Sequence, residues 1–135
     1  MHKGNIVLVT GASRGIGKSI AKKFASQGAI VYANVRSLEC VDHENINQDG
    51  EIIPLLFDVR DSGAVKIAFE KIKLEQGRLD CVVNNAGILV DSLLTMLDRK
   101  TLRDIYEVNV FAVFEIMAYA ARIMTKQRHG VIVNI

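Results

Sequence analysis

The stretch Val7-Leu8-Val9-Thr10-Gly11-Ala12-Ser13-Arg14-Gly15-Ile16-Gly17 limits most sharply what this chain can fold into. A short apolar, β-branched run stops at a turn carrying three glycines, and an amphipathic helical pattern starts directly from it. Strand, glycine turn and helix together form an anion site. The first amides of a helix point outward unpaired, and the aligned peptide dipoles add about half a positive charge there. Glycine lets a pyrophosphate approach the backbone where a side chain would stand in its way. The spacing is G-x-x-x-G-x-G and not the general G-x-G-x-x-G fingerprint. Lys18 follows Gly17, but the glycines are not spaced as in a P-loop.

Composition narrows the class further. A chain of 135 residues, half of them apolar, is one domain, able to bury roughly two-thirds of its unfolded surface. A net charge of +2 is too small to argue for nucleic acid or a membrane surface. No apolar run approaches the roughly 20 residues that cross a bilayer, and Met1-His2-Lys3-Gly4-Asn5 lacks a signal-peptide core. Cys40 and Cys81 are isolated and offer neither a disulfide framework nor a metal spacing. A reduced, cytoplasmic setting is expected.

Apolar β-type runs alternate with helical patterns along the whole chain, with no repeat or linker to divide it. The pattern predicts βαβ units in a doubly wound parallel sheet of the α/β class, a Rossmann-type fold with strand order 3-2-1-4-5. Strands are expected at Ile6–Val9, Ala29–Ala33, Ile52–Phe57, Leu79–Val83 and Gly130–Ile135. Pro54 suggests an edge position for the third, because proline cannot donate to a central ladder. The first helix places Ile16, Ile20 and Phe24 on one face and stops at Gly28. Ser37–Gly50 is polar and forms a weak, short helix at best. Asp61 or Ser62 caps the next helix, whose buried stripe is Val65, Ala68, Phe69 and Ile72, ending at Gly77. A long helix follows from about Asp98 to Lys126, with Leu102, Ile105, Val108 or Asn109, Ala112, Ile116, Tyr119 and Ile123 recurring at helical spacing. Phe111, Phe114 and Met117 widen its apolar surface and suggest a partner helix. Lys126-Gln127-Arg128-His129 reads as a solvated helix end.

In a dinucleotide fold, the residues just past the second strand read the adenine ribose. A carboxylate there takes two ribose hydroxyls and repels a 2′-phosphate. Here Val35-Arg36 stands in that place, with no acid before Glu39. Arg36, with Arg14 from the glycine turn, is suited to grip a 2′-phosphate through charge-assisted bonds of roughly 1.5–3 kcal/mol each. The expected cofactor is therefore NADP(H).

Thr10–Gly17 resembles the cofactor turn of the short-chain dehydrogenase/reductase family, and Asn84-Asn85-Ala86-Gly87 at the end of the fourth strand is similar to its second motif. The resemblance implies a cofactor site made of Gly11, Ser13, Arg14, Gly15, Ile16, Gly17, Arg36, Asp58, Val59, Asn85, Ala86 and Gly87. It implies that the Asp58 carboxylate takes the adenine amine and that small residues at Ala86-Gly87 admit the nicotinamide ribose. Within Glu107-Val108-Asn109 it gives Asn109 a catalytic part: a helix kink whose carbonyl holds a relay water. It also implies that the long helix builds a dimer interface, often within a tetramer. Asn85–Ile88, Asp91-Ser92-Leu93-Leu94 and Arg128-His129-Gly130 are most similar to the 3-oxoacyl-acyl-carrier-protein reductase branch, so acyl carrier protein is an expected partner of the basic stretch.

The family's chemistry is hydride transfer between a nicotinamide and a carbonyl or alcohol carbon, with a tyrosine acid, a lysine four residues later and a serine. Tyr32, Tyr106 and Tyr119 are followed at that spacing by Arg36, Val110 and Ile123, so no Tyr-x-x-x-Lys occurs. The apolar run Val131–Ile135 would also be left as an unprotected sheet edge. The chain is accordingly read as the dinucleotide-binding portion, residues 1–135, of a longer reductase, truncated after the fifth strand and inactive alone. The alternative is a non-catalytic nucleotide-binding or helix-pairing fragment.

Overall fold

The computed structural model describes residues 3–37 and 50–135. Cys40, Glu39 and the short helix expected within Ser37–Gly50 fall largely or wholly outside the described residues. Among the described residues five strands, β1 (Ile6–Val9), β2 (Ile30–Val35), β3 (Glu51–Leu56), β4 (Cys81–Asn84) and β5 (Val131–Asn134), form one parallel sheet in the order β3-β2-β1-β4-β5. Pro54 lies in β3 at the edge of the sheet, paired with Ala33 on one side only.

Successive residues of a strand face opposite sides of the sheet, and both sides of the central strands are buried. Val7 and Val9 of β1 point to one side with Val31, Ala33 and Val83, where helix α1 (Gly15–Ala25) covers them with Ala21 and Ala25. Ile6 and Leu8 point to the other, with Tyr32 and Val82, against helix α2 (Ser62–Gln76) and helix α4 (Ala112–Gln127). Burying this apolar surface on both faces, at roughly 25 cal/mol per Å², is what holds the layers together.

The buried face of α1 differs from the expected one. Ile16 is 64% exposed and Ile20 and Phe24 only partly buried, while Gly17, Ala21 and Ala25 lie against the sheet. The small residues win because they let the helix approach the strands more closely than a leucine-sized stripe would. The α2 stripe is Val65, Ala68, Phe69 and Ile72, as its spacing predicts, with Asp61 as the cap accepting from the Ala64 amide at 3.0 Å and Gly77 in the left-handed conformation at its end.

The long helix is not uniform. Helix α3 (Arg99–Tyr106) runs through a five-residue π turn (Glu107–Phe111) into α4. The extra residue in that turn rotates the stripe, so Val108, Ala112, Ile116, Ala120 and Met124 are buried and Leu102, at 43%, is exposed. Of the alternatives Val108 and Asn109, Val108 faces the core. Contrary to the expectation that no segment is long enough to span a bilayer, the helix Arg99–Gln127 passes by length and composition; in this fold its buried stripe lies across the sheet. Phe111 and Phe114 are exposed, whereas Met117 is half-buried and its Sδ accepts from Asn134 Nδ2 at 3.4 Å.

The stretch after α4 is not simply a solvated helix end. Gln127 donates to the Leu79 carbonyl, and His129 Nε2 lies 3.0 Å from Asp80 Oδ1. Asp80 is the junction: its Oδ2 accepts from the Ile6 amide at 2.8 Å, and Oδ1 pairs with Arg78. Burial alone would raise this carboxyl, but Arg78, the Ile6 amide and His129 outweigh burial and hold it below the usual aspartate value.

A depressed folded-state value means the unfolded chain binds the proton more readily, so stability rises with pH through this window. The contribution of Asp80 is full above the ordinary aspartate value of about 3.9 and is lost as pH falls through the lower folded value. Asp80→Asn is expected to cost about 1–3 kcal/mol at pH 7 and to flatten the acid limb of the stability curve. Urea melts from pH 2 to 7 check this; a variant with the parent's acid limb would refute it.

Candidate active site

The carboxyl ends of β1 to β4 open into one cleft of about 360 Å³. Its floor is built by two polar side chains that the chain spends on its own backbone. Thr10, buried at the end of β1, accepts through Oγ1 from the amides of Asn85 and Ala86, each at 3.0 Å. Asn85 returns its Nδ2 to the carbonyls of Thr10 and Gly11, at 3.0 and 3.1 Å. The glycine turn and the end of β4 are thereby held as one piece. Asn34, buried near the end of β2, accepts from the Gly11 amide at 3.1 Å and donates to the Phe57 carbonyl at 2.8 Å, which ties the turn to the end of β3.

The three glycines do three different things. At Gly17 a Cβ would come within 2.4 Å of both Gly11 O and Asn85 Nδ2, and at Gly11 (φ 63°) within 2.9 Å of Ala86 Cα. Both glycines are therefore required by packing within the fold, Gly11 while also lining the cleft. Gly15, at φ 57°, has nothing within 4 Å of its missing Cβ, and it lines the cleft. There the bare backbone does face open space.

Gly15 is also the first residue of α1. Its N-cap, Arg14, is extended and makes no side-chain cap hydrogen bond, and the first turn carries no acid. The orphan amides of that turn therefore face the cleft without a side-chain acceptor. Arg14 and Arg36 are both exposed and line the same cleft. An uncapped helix start, a glycine whose side-chain volume is empty and two guanidiniums are a donor set that fits the phosphates of a dinucleotide.

Of the residues expected from the sequence, Gly11, Ser13, Arg14, Gly15, Ile16, Arg36, Asp58, Val59, Asn85, Ala86 and Gly87 line this cleft, and Gly17 packs beneath it. Asn109 does not line it. It reaches the rim instead, accepting from the Ile88 amide at 2.9 Å and donating to the Ile88 carbonyl at 2.8 Å. The π turn aims this amide away from the stripe on which the Val108 side chain is buried. Thr10, Asn34 and Arg60 were not anticipated. Each is a polar residue at the carboxyl end of an apolar strand or just beyond it, and in a parallel sheet with both faces covered that is the available signal.

Asp58, expected to be open to a ligand, is already engaged. Arg60 Nε lies 3.1 and 3.2 Å from its two oxygens, Arg60 Nη2 2.6 Å from Oδ2, and the Arg60 amide 3.0 Å from Oδ1. The guanidinium holds the carboxyl below the usual aspartate range against some burial, and Arg36 acts in the same direction more weakly. Arg60 is raised in turn, by Asp58 first and to a smaller degree by Asp104 and Glu107.

A five-stranded parallel sheet wound on both faces, with its cleft at the strands' carboxyl ends and a glycine turn opening the first helix, is a Rossmann-type α/β fold. The chain belongs to the short-chain dehydrogenase family, whose sequence profile matches residues 5–135. It is 39% identical over 137 aligned residues to the 3-oxoacyl-acyl-carrier-protein reductase FabG of Escherichia coli, covering 98% of this chain and 54% of that protein. Gluconate 5-dehydrogenase of Gluconobacter oxydans is likewise 39% identical, with 98% and 53% covered. Among solved structures, a short-chain dehydrogenase/reductase from Burkholderia xenovorans superposes with a TM-score of 0.91 at 34% identity, covering 98% of this chain and 53% of that one. A metagenomic short-chain oxidoreductase in complex with NADP gives 0.90 at 32%, covering 98% and 62%. The chain thus spans about half the length of the curated relatives it matches.

The division of labour among the glycines is open to measurement. Gly17→Ala is expected to destabilise by about 1–3 kcal/mol, because the added methyl would meet the Gly11 carbonyl and the Asn85 amide that is itself hydrogen-bonded to Thr10 and Gly11. Gly15→Ala is expected to cost only about 1 kcal/mol of backbone strain while weakening nucleotide binding several-fold. Thermal unfolding and calorimetric titration with NADPH separate the two; equal effects of both variants on both readouts would contradict the assignment.

Proposed function

We propose that the chain is the dinucleotide-binding portion of an NADP(H)-dependent short-chain reductase that converts a carbonyl to an alcohol. The observation that carries the reading is the pair Arg14 and Arg36 on one cleft with the uncapped start of α1, where Val35-Arg36 replaces the carboxylate that a 2′-hydroxyl would need. A bound nicotinamide supplies the hydride. The protein's share is to seat the diphosphate on the amides after Arg14, take the 2′-phosphate between the two arginines, and fix the rim through Asn109 and Ile88. The neighbour solved with NADP supports the cofactor choice.

Equal identity to a 3-oxoacyl-acyl-carrier-protein reductase and to a gluconate dehydrogenase leaves overall similarity silent on substrate. The motifs Asn85–Ile88 and Arg128-His129-Gly130 favour a 3-oxoacyl thioester delivered by acyl carrier protein. The same reading places the intact enzyme in the cytoplasm as a homo-oligomer, with the exposed Phe111 and Phe114 of the long helix facing a second copy. Within these 135 residues there is no Tyr-x-x-x-Lys to protonate an alkoxide. The expected behaviour of this chain alone is therefore binding without turnover.

Titration of the chain with NADPH and NADH is expected to favour NADPH by at least tenfold, and Arg36→Asp to reverse the order. NADH binding as tightly as NADPH to the parent would refute the arginine reading. NADPH oxidation by the 135-residue chain with an acetoacetyl thioester would refute the division between binding and catalysis.

A further inference from the structure

The adenine end of the cleft holds a conflict of charge. A 2′-phosphate carries close to two negative charges, and Asp58 lines the same cleft as Arg14 and Arg36. Left unpaired, that carboxylate would oppose a phosphate held in the same cleft. Asp58 is not left to itself. The fork of Arg60 and its own amide engage both carboxylate oxygens, and the pair is formed by residues two apart on one turn, each partly exposed and each lining the cleft.

We propose that Arg60 is a specificity-determining residue of this cleft: paired with Asp58, it cancels the carboxylate's charge and so permits the 2′-phosphate that Arg14 and Arg36 attract. This rests on the reading of the cleft as an NADP(H) site and adds a third arginine with a different task. Arg14 and Arg36 act on the phosphate directly, whereas Arg60 is a positioning residue that acts through Asp58. The sequence pattern alone hides it, because Arg60 lies after β3, far in the chain from the segment after β2 where cofactor choice is normally read. A tight, two-point ion pair between neighbours is also held at little conformational cost, so the cancellation is in place before a ligand arrives.

The test is binding, with no turnover required. Adenosine 2′,5′-bisphosphate and adenosine 5′-monophosphate are titrated calorimetrically into the 135-residue chain, and the ratio of their affinities is the readout. Arg60→Gln exposes the Asp58 charge and is expected to lower the ratio about three- to tenfold, the size of a partly screened charge–phosphate repulsion. Adding Asp58→Asn to that variant is expected to restore the ratio, although both affinities fall together. A ratio unchanged by Arg60→Gln, while Arg36→Ala collapses it, would overturn the inference and leave the cofactor reading standing. A ratio lowered by Arg60→Gln and not restored by Asp58→Asn would also overturn it, since Arg60 would then contact the phosphate itself. A parent chain with no preference between the two ligands would overturn both. Should Arg60→Gln fail to fold, Asp58→Asn alone suffices: the parent's ratio or a higher one is expected, and a fall would refute the proposal.

Discussion

Everything at the mouth of this sheet depends on one hydroxyl. Thr10 Oγ1 takes the amides of Asn85 and Ala86, which would otherwise be partly buried donors with no partner. An unsatisfied buried amide costs about 1–3 kcal/mol, so a side chain of the same shape without the oxygen would leave two such debts at the point where β1 and β4 end. Because Asn85 reciprocates onto Thr10 and Gly11, the glycine turn is tied to the end of β4 by hydrogen bonds running both ways. Fixing donors in place in this manner is what lets weak individual donors add up.

The same economy runs through the rest of the cleft. Asn34 spends one end on Gly11 and the other on Phe57, so three strand ends are referenced to a single turn. Asn109 does for the rim what Asn85 does for the floor, holding Ile88 by both its amide and its carbonyl. At the opposite end of the sheet Asp80 gathers Ile6, Arg78 and His129, and joins β1, β4 and the start of β5. Polar side chains thus fasten the parallel sheet at both ends while apolar ones fill its two faces.

Much of the architecture is legible from pattern because a parallel sheet covered on both faces demands long apolar runs, and this chain has them at the right intervals. The edge position of the strand with Pro54 and the stripe of α2 follow from local chemistry and periodicity, and the strand order from the doubly wound plan that the glycine turn implies. The failures are instructive. Ile16, Ile20 and Phe24 make a sound amphipathic stripe on paper, yet the helix turns Gly17, Ala21 and Ala25 inward, since close approach to β1, β2 and the turn at Gly11 outweighs the larger side chains. The long helix changes phase at a π turn, and helical spacing counted through that turn misplaces Leu102, whereas Tyr119 beyond it packs against the core beside Phe69.

By itself the sequence determined the class of fold and the end of the sheet where the cleft opens: alternating runs dictate the layers, and three glycines after a β-branched strand dictate where a helix begins with bare amides. What only the tertiary structure decided is which residue does which work there. Gly11 and Gly17 are required by a neighbouring strand end some 70 residues away, Asp58 is occupied by Arg60, and Asn109 grips Ile88 across 21 residues. The physical reason is distance along the chain. Periodicity and turn chemistry act over a few residues, whereas close approach, charge pairing and the satisfaction of buried polar groups are settled by what folding brings alongside.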